Sequence, residues 1–109
     1  MMLKVTINED TYPMDIPADM VSGAEDLFRK MDQDMDRGWQ MSRKWVDRPD
    51  IEQRCQIVAD KMLTAIENGN DRIAAMMAAY ILNRLPGIEG LDIDTEGDIN
   101  QTELIMGIT

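Results

Sequence analysis

The sequence predicts an α+β fold: an N-terminal β-hairpin packed on three helices, followed by an acidic, partly extended C-terminal segment. Three observations carry that expectation. Apolar and polar residues alternate from Leu3 to Ile16, the period of a half-buried strand. From Ser22 to Leu85 the apolar residues recur at steps of three and four, the period of a helix face. Beyond Leu85 the helical period stops at "LPG", and every charged residue that follows is acidic. The expected division is therefore a hairpin plus helical core over residues 1–87 and an acidic C-terminal segment over 88–109.

In the hairpin, Leu3, Val5 and Ile7 alternate with Lys4 and Thr6. Tyr12, Met14 and Ile16 alternate with Pro13 and Asp15, across the turn-rich stretch "NEDT". Pro13 has no N–H for a ladder, so it belongs on a sheet edge. A lone hairpin is marginal in water and must pack on something. The run "LKVTINEDTYPMDIPAD" resembles the opening hairpin of a β-grasp domain over its 17 residues.

Ser22 is expected to start the first helix, because "SGAE" has the form of a capping box with Glu25 reaching back. Ala24, Phe28, Met31, Met35, Trp39, Ser42 and Val46 then make one stripe, with Gly38 as a place to bend. Asp47 and Pro49 mark a stop and a new start. A second helix over residues 50–68 carries the stripe Ile51, Cys55, Val58, Met62, Ala65 and Ile66, and Gly69 ends it. Asn70 or Asp71 caps a third helix over 71–85. Residues 73–82 are apolar on all sides, so that helix is either buried or lies in an oligomer interface. A domain this small has little to surround it, so a homodimer is expected with Met76 and Tyr80 at the contact. In the acidic segment Leu91 and Ile93 alternate, as do Leu104, Met106 and Ile108. A short strand beside the hairpin fits either place.

Composition bounds the function. One cysteine, Cys55, rules out an intramolecular disulfide and fits a reducing cytoplasm. The opening "MMLKVTINEDTY" has no apolar signal region, and the longest apolar run, "IAAMMAAYIL", is half a membrane span. A cytoplasmic protein without a membrane partner is expected. The net charge of −10 is uneven: residues 23–85 carry eleven acids and ten bases, whereas 86–109 carry six acids and no base. That balance opposes nucleic acid as a partner and suits cations or a basic protein.

An enzyme needs groups of suitable pKa held in place. The chain has no histidine and only two serines, and "GNDR" and "LPGIEG" lack the lysine and spacing of a phosphate loop. The expectation is no catalytic residue and no bound cofactor. Cys55 lies on an apolar stripe and reads as a buried thiol. Of eleven methionines, Met31, Met35, Met62 and Met77 fit core stripes, while Met41 and Met76 are surface candidates. "RGWQMSRKWVDR" is the one basic, aromatic stretch. Trp39 sits on the core stripe there, and Trp45 falls on another side of the predicted helix. Arg43, Lys44 and Trp45, with Met76 and Tyr80, are the candidate partner-binding residues.

"DIDTEGDINQTE" carries oxygen ligands at the spacing of a calcium loop. It resembles an EF-hand loop, with Asp92, Asp94, Glu96, Asp98, Asn100 and Glu103 at positions 1, 3, 5, 7, 9 and 12 and Gly97 at the turn. The resemblance implies a calcium site. Glu96 is longer than the Asp or Asn the motif takes, and Pro86, Gly87 and Gly90 break any entering helix. The alternative is an acidic segment that docks on the basic stretch through Arg37, Arg43, Lys44 and Arg48. The function expected is therefore a small non-catalytic protein-interaction domain, an adaptor or accessory subunit. The alternative function is a calcium-binding module using residues 92–103.

Overall fold

In the computed structural model, which describes residues 1–107, the hairpin comes first. Strands β1 (Met2–Ile7) and β2 (Asp10–Asp15) pair antiparallel with Val5 opposite Tyr12. Asn8 and Glu9 between them both have positive φ, as a tight two-residue I′ turn requires. The Ile16 N–H donates to the Met1 carbonyl, so Tyr12 and Met14 share its inward direction. Pro13 then has its ring nitrogen on the free edge, where it withholds no ladder bond.

The first helical region departs from expectation. A short helix α1 (Ala18–Gly23) precedes α2 (Glu25–Asp36). Ser22 is not a cap: it lies within α1, and its hydroxyl donates to the Ala18 carbonyl. Glu25 opens α2 and binds Arg84 instead. The long stripe does not continue to Val46. Gly38, at φ +100°, ends α2 where a bend was the expectation. Beyond it, β3 (Trp39–Met41) and β4 (Lys44–Val46) make a second hairpin. Ser42, at φ +58°, stands at the first central position of its two-residue turn. The three-to-four spacing of Trp39, Ser42 and Val46 continues through this stretch although they stand on two strands and the turn between them. Met41, a surface candidate by its place off the stripe, is fully buried.

Helices α3 (Ile51–Glu67) and α4 (Asp71–Arg84) stand close to their expected places. Asp50 accepts from the Gln53 N–H while the Gln53 side chain accepts from the Asp50 N–H, a true capping box. Asn70 caps α4 by accepting from the Ile73 N–H. Ala78, Ala79, Tyr80 and Ile81 are fully buried within the chain itself. Most of the apolar run is thus covered within the chain, while Ile73 at its start is 44% exposed. Tyr80 is a core residue and not a contact residue, and Met76 is half-buried.

The acidic segment completes the first sheet. Strand β5 (Ile88–Ile93) pairs parallel with β1, and β6 (Glu103–Met106) pairs antiparallel with β5. The order is β2-β1-β5-β6, so residues 88–93 are a central strand sharing one sheet with the hairpin. Ile108 lies outside the described residues. Leu3, Val5, Leu91 and Ile93 face the helices and join one core with α3 and α4. Gly90 permits the parallel pairing, because a Cβ there would stand 2.7 Å from the Lys4 carbonyl oxygen. Among the described residues no helix is long and apolar enough to cross a membrane.

Cys55 lies in this core. Burial first, then the charges of Asp32 and Glu52, push its thiol up to about 12. Little thiolate forms near neutrality. A disulfide reagent at pH 8 is expected to label Cys55 only at the rate of unfolding; fast labelling of the native protein contradicts this placement.

Candidate partner-binding hairpin and the acidic loop beneath it

The β3–β4 hairpin is anchored on one face and free on the other. Met41 is buried, and Trp39 is half-buried with the Lys61 ammonium 4.7 Å from its ring centroid. Gln40 and Trp45 are cross-strand partners on the opposite face. Trp45 is 54% exposed, the most exposed large apolar side chain among the described residues. It is nevertheless held. Its indole N–H donates to Asp47 at 2.9 Å, and its ring lies against Gly38. Arg43 in the turn and Lys44, the cross-strand partner of Met41, precede it in sequence and are exposed, with Arg37 and Arg48 exposed at the hairpin's base. Among the described residues none of these four bases forms an ion pair. Trp39 and Trp45 do point to different sides, but across a hairpin and not round a helix.

The acidic loop does meet the basic stretch, by a different chemistry from the one expected. Ser42 makes the contact. Its hydroxyl donates to Asp98 Oδ1 at 2.8 Å and accepts from the Ile99 N–H at 3.1 Å. The Asn100 side-chain amide donates to the Met41 carbonyl at 3.3 Å. Hydrogen bonds hold the loop, and Arg37, Arg43, Lys44 and Arg48 take no part in them. Salt should therefore leave this contact intact, since screening acts on charge pairs. Replacing Ser42 by glycine suits the positive φ but removes the hydroxyl. Amide exchange at Asp98–Asn100 is expected to quicken by about tenfold, while raised salt alone leaves it unchanged. The reverse pattern contradicts the assignment.

Of the six calcium-type positions, Asp92, Asp94 and Glu103 line one open pocket with Glu9, and Glu96, Asp98 and Asn100 lie outside it. Asp94 turns inward and accepts from the N–H groups of Glu96 and Asp98 at 3.0 and 2.8 Å. Asp98 caps the 3₁₀ turn Ile99–Gln101 by accepting from the Asn100 N–H. The hydrogen bond from Ser42, first among its influences, holds the Asp98 carboxyl below the usual range. Asn100 is engaged with Met41, and Glu96 is exposed. Asp92 and Glu103 face each other across β5 and β6 on the exposed side of the sheet. Among the described residues no group of three or more His, Cys, Asp or Glu side chains is placed to hold a metal ion. The spacing that resembles a metal loop serves to close the loop on its own backbone. Calorimetry in physiological salt is expected to show weak, non-saturating heats, alike for calcium and magnesium. A saturable one-to-one calcium site contradicts this reading.

No protein-family model matches the chain, and no curated protein or solved structure is found to match it.

One constellation has no local sequence signal. Asp32 on α2 accepts from the Tyr80 hydroxyl and from Arg84 Nε at 3.0 Å, and lies 3.4 Å from Arg54 Nη1. Arg84 also holds Glu25, and Arg54 also holds Asp36. The rings of Phe28 and Tyr80 meet edge to face beneath the Arg84 guanidinium. The partners come from three helices, up to 59 residues apart in sequence. Every buried side-chain nitrogen and oxygen among the described residues has a partner. This network fastens α2 to α3 and α4, and its Asp32 and Arg54 also line an open cleft of about 370 Å³ with Arg48, Pro49, Asp50 and Ile51.

Proposed function

We propose that the chain is a small non-catalytic protein-interaction domain, an adaptor or accessory subunit, that docks a partner on its β3–β4 hairpin. One observation carries the reading: Trp45 is exposed yet fixed by Gly38 and Asp47, on a hairpin whose exposed Arg43 and Lys44 form no ion pair among the described residues. An exposed indole gains the hydrophobic term when a partner covers it. A fixed indole loses little side-chain freedom on binding. Tryptophan and arginine are the residues that dominate binding energy at interfaces. The bases favour an acidic partner surface with an apolar pocket for the ring. The overall charge of −10 disfavours a nucleic acid in that role.

The groups with most reactive chemistry support the non-catalytic reading. Burial raises the Cys55 thiol, and burial with the Asp32 hydrogen bond raises the Tyr80 hydroxyl far above its ordinary range. Both are committed to the core.

Affinity capture from the source cells tests the proposal, comparing the natural chain with Trp45→Ala and with the double variant Arg43→Glu, Lys44→Glu. All three positions are exposed, so the variants should keep the parent melting temperature. A partner retained by the natural chain and lost from both variants is the expected result. A partner retained equally by all three overturns it.

A further inference from the structure

We propose that a second surface, the groove between β2 and the junction of α3 with α4, binds a basic amphipathic helix of a partner protein. It lies apart from the β3–β4 hairpin and extends the adaptor reading to two faces. The helical layer stops short of the sheet's edge. Val5 is covered completely, whereas its cross-strand partner Tyr12, on the same face of the sheet, is 51% exposed. The result is a groove of about 730 Å³ floored by Ile7, Met14, Leu63 and Ile66. Ala74, with its short side chain, leaves the α4 wall open. A further helix laid there would continue the layer at ordinary helix–helix spacing, about 8–10 Å.

The charge around the groove selects the occupant. Glu67 in the last turn of α3 and Asp71 in the first turn of α4 stand on its rim, both exposed. Neither forms an ion pair among the described residues. Glu67 sits at the negative end of its helix, where a cation is favoured. Burial first, then the charges of Glu67 and Asp94, hold the Asp60 carboxyl on α3 above its usual range. An apolar floor under an acidic rim suits apolar side chains at helical spacing flanked by lysine or arginine. A strand is the poorer occupant, because Pro13 interrupts the donors along the free edge of β2.

The probe is a labelled synthetic helix of leucine and lysine, about 18 residues long, against a scrambled peptide of the same composition, in about 0.15 M salt. Saturable one-to-one binding is expected, with the scrambled peptide at least about tenfold weaker. Glu67→Lys puts a cation at the α3 C-terminus, which the helix tolerates, and should weaken binding by about tenfold. Tyr12→Ser should weaken it too. Methyl signals of Ile7, Met14, Leu63 and Ile66 should move on titration. Trp45→Ala should leave the affinity within about twofold, which separates this surface from the hairpin. Equal binding of the scrambled peptide, indifference to Glu67→Lys, or loss with Trp45→Ala overturns the proposal. So does a dimer, seen in sedimentation, that Glu67→Lys dissolves, since the groove would then belong to a second copy.

Discussion

Replacing Asp32 by alanine is expected to destabilise the protein by about 3 kcal/mol, more than any other single carboxylate. The loss strands three groups at once. The Tyr80 hydroxyl keeps no acceptor inside a fully buried residue. Arg84 and Arg54, with side chains 17% and 13% exposed, each lose one of two anionic partners. Breaking a buried pair costs about 3–5 kcal/mol because the survivor stays desolvated. Asp32 is itself 24% exposed, which places the effect at the low end. Asp32→Asn keeps an acceptor for Tyr80 and should cost about half as much. Asp34→Ala, on an exposed position of the same helix, should stay within about 0.5 kcal/mol. Urea unfolding of the three variants is the check; equal midpoints for Asp32→Ala and Asp34→Ala contradict the network's role.

The same network sets the acid side of stability. The hydrogen bond from Arg84 holds the Glu25 carboxyl below its ordinary value, as Ser42 does for Asp98. A carboxyl lowered on folding lends stability that is present above its unfolded pKa and lost as pH falls through the folded one. The urea midpoint should therefore be level from neutrality to about pH 5 and fall below it.

The second large effect belongs to Gly38. Alanine there is expected to cost about 2 kcal/mol and to abolish docking through the hairpin. At φ +100° a side chain is strained whatever the space. Its Cβ would also stand 2.8 Å from Trp45 Cε2, so the indole must leave its seat. The strain is read as a lower melting temperature. The displaced indole is read independently, as red-shifted tryptophan emission and partner affinity lowered by at least about tenfold. Lowered stability with full partner affinity contradicts the role given to Trp45.

Local signals made much of the fold legible. The Leu3–Ile16 alternation, the new start after Pro49, the cap at Asn70 and the stop at Gly69 are short-range devices, and each stands where its spacing places it. The stretch from Met35 to Val46 was not legible as strands, because Trp39, Ser42 and Val46 continue the helical spacing of α2 while each strand is only three residues long. Its deciding features are two positive φ angles, at Gly38 and Ser42. Glycine announces such an angle only as a possibility, and serine does not announce it at all. The apolar α4 pointed outward in sequence because nothing local shows that Tyr80 meets Asp32, 48 positions earlier. For the loop, Asp94 and Asp98 serve a calcium site and an Asx-type turn equally well by spacing. In the structure their carboxylates accept from the Glu96, Asp98 and Asn100 N–H groups, as in an Asx-type turn, a direction that spacing does not show. Of the candidate partner-binding residues, Arg43, Lys44 and Trp45 are all exposed on the second hairpin, with Lys44 opposite Met41 and Trp45 opposite Gln40.

The central claim is that this hairpin is where a partner docks. Its most direct test is a photo-crosslinking amino acid placed at Lys44 in the source cells, with a second placement at Asp26, exposed in the first turn of α2. A discrete adduct with a protein bearing an acidic surface, formed from position 44 and absent from position 26, is the predicted result. Adducts of the same pattern from both positions, or none from position 44, contradict it.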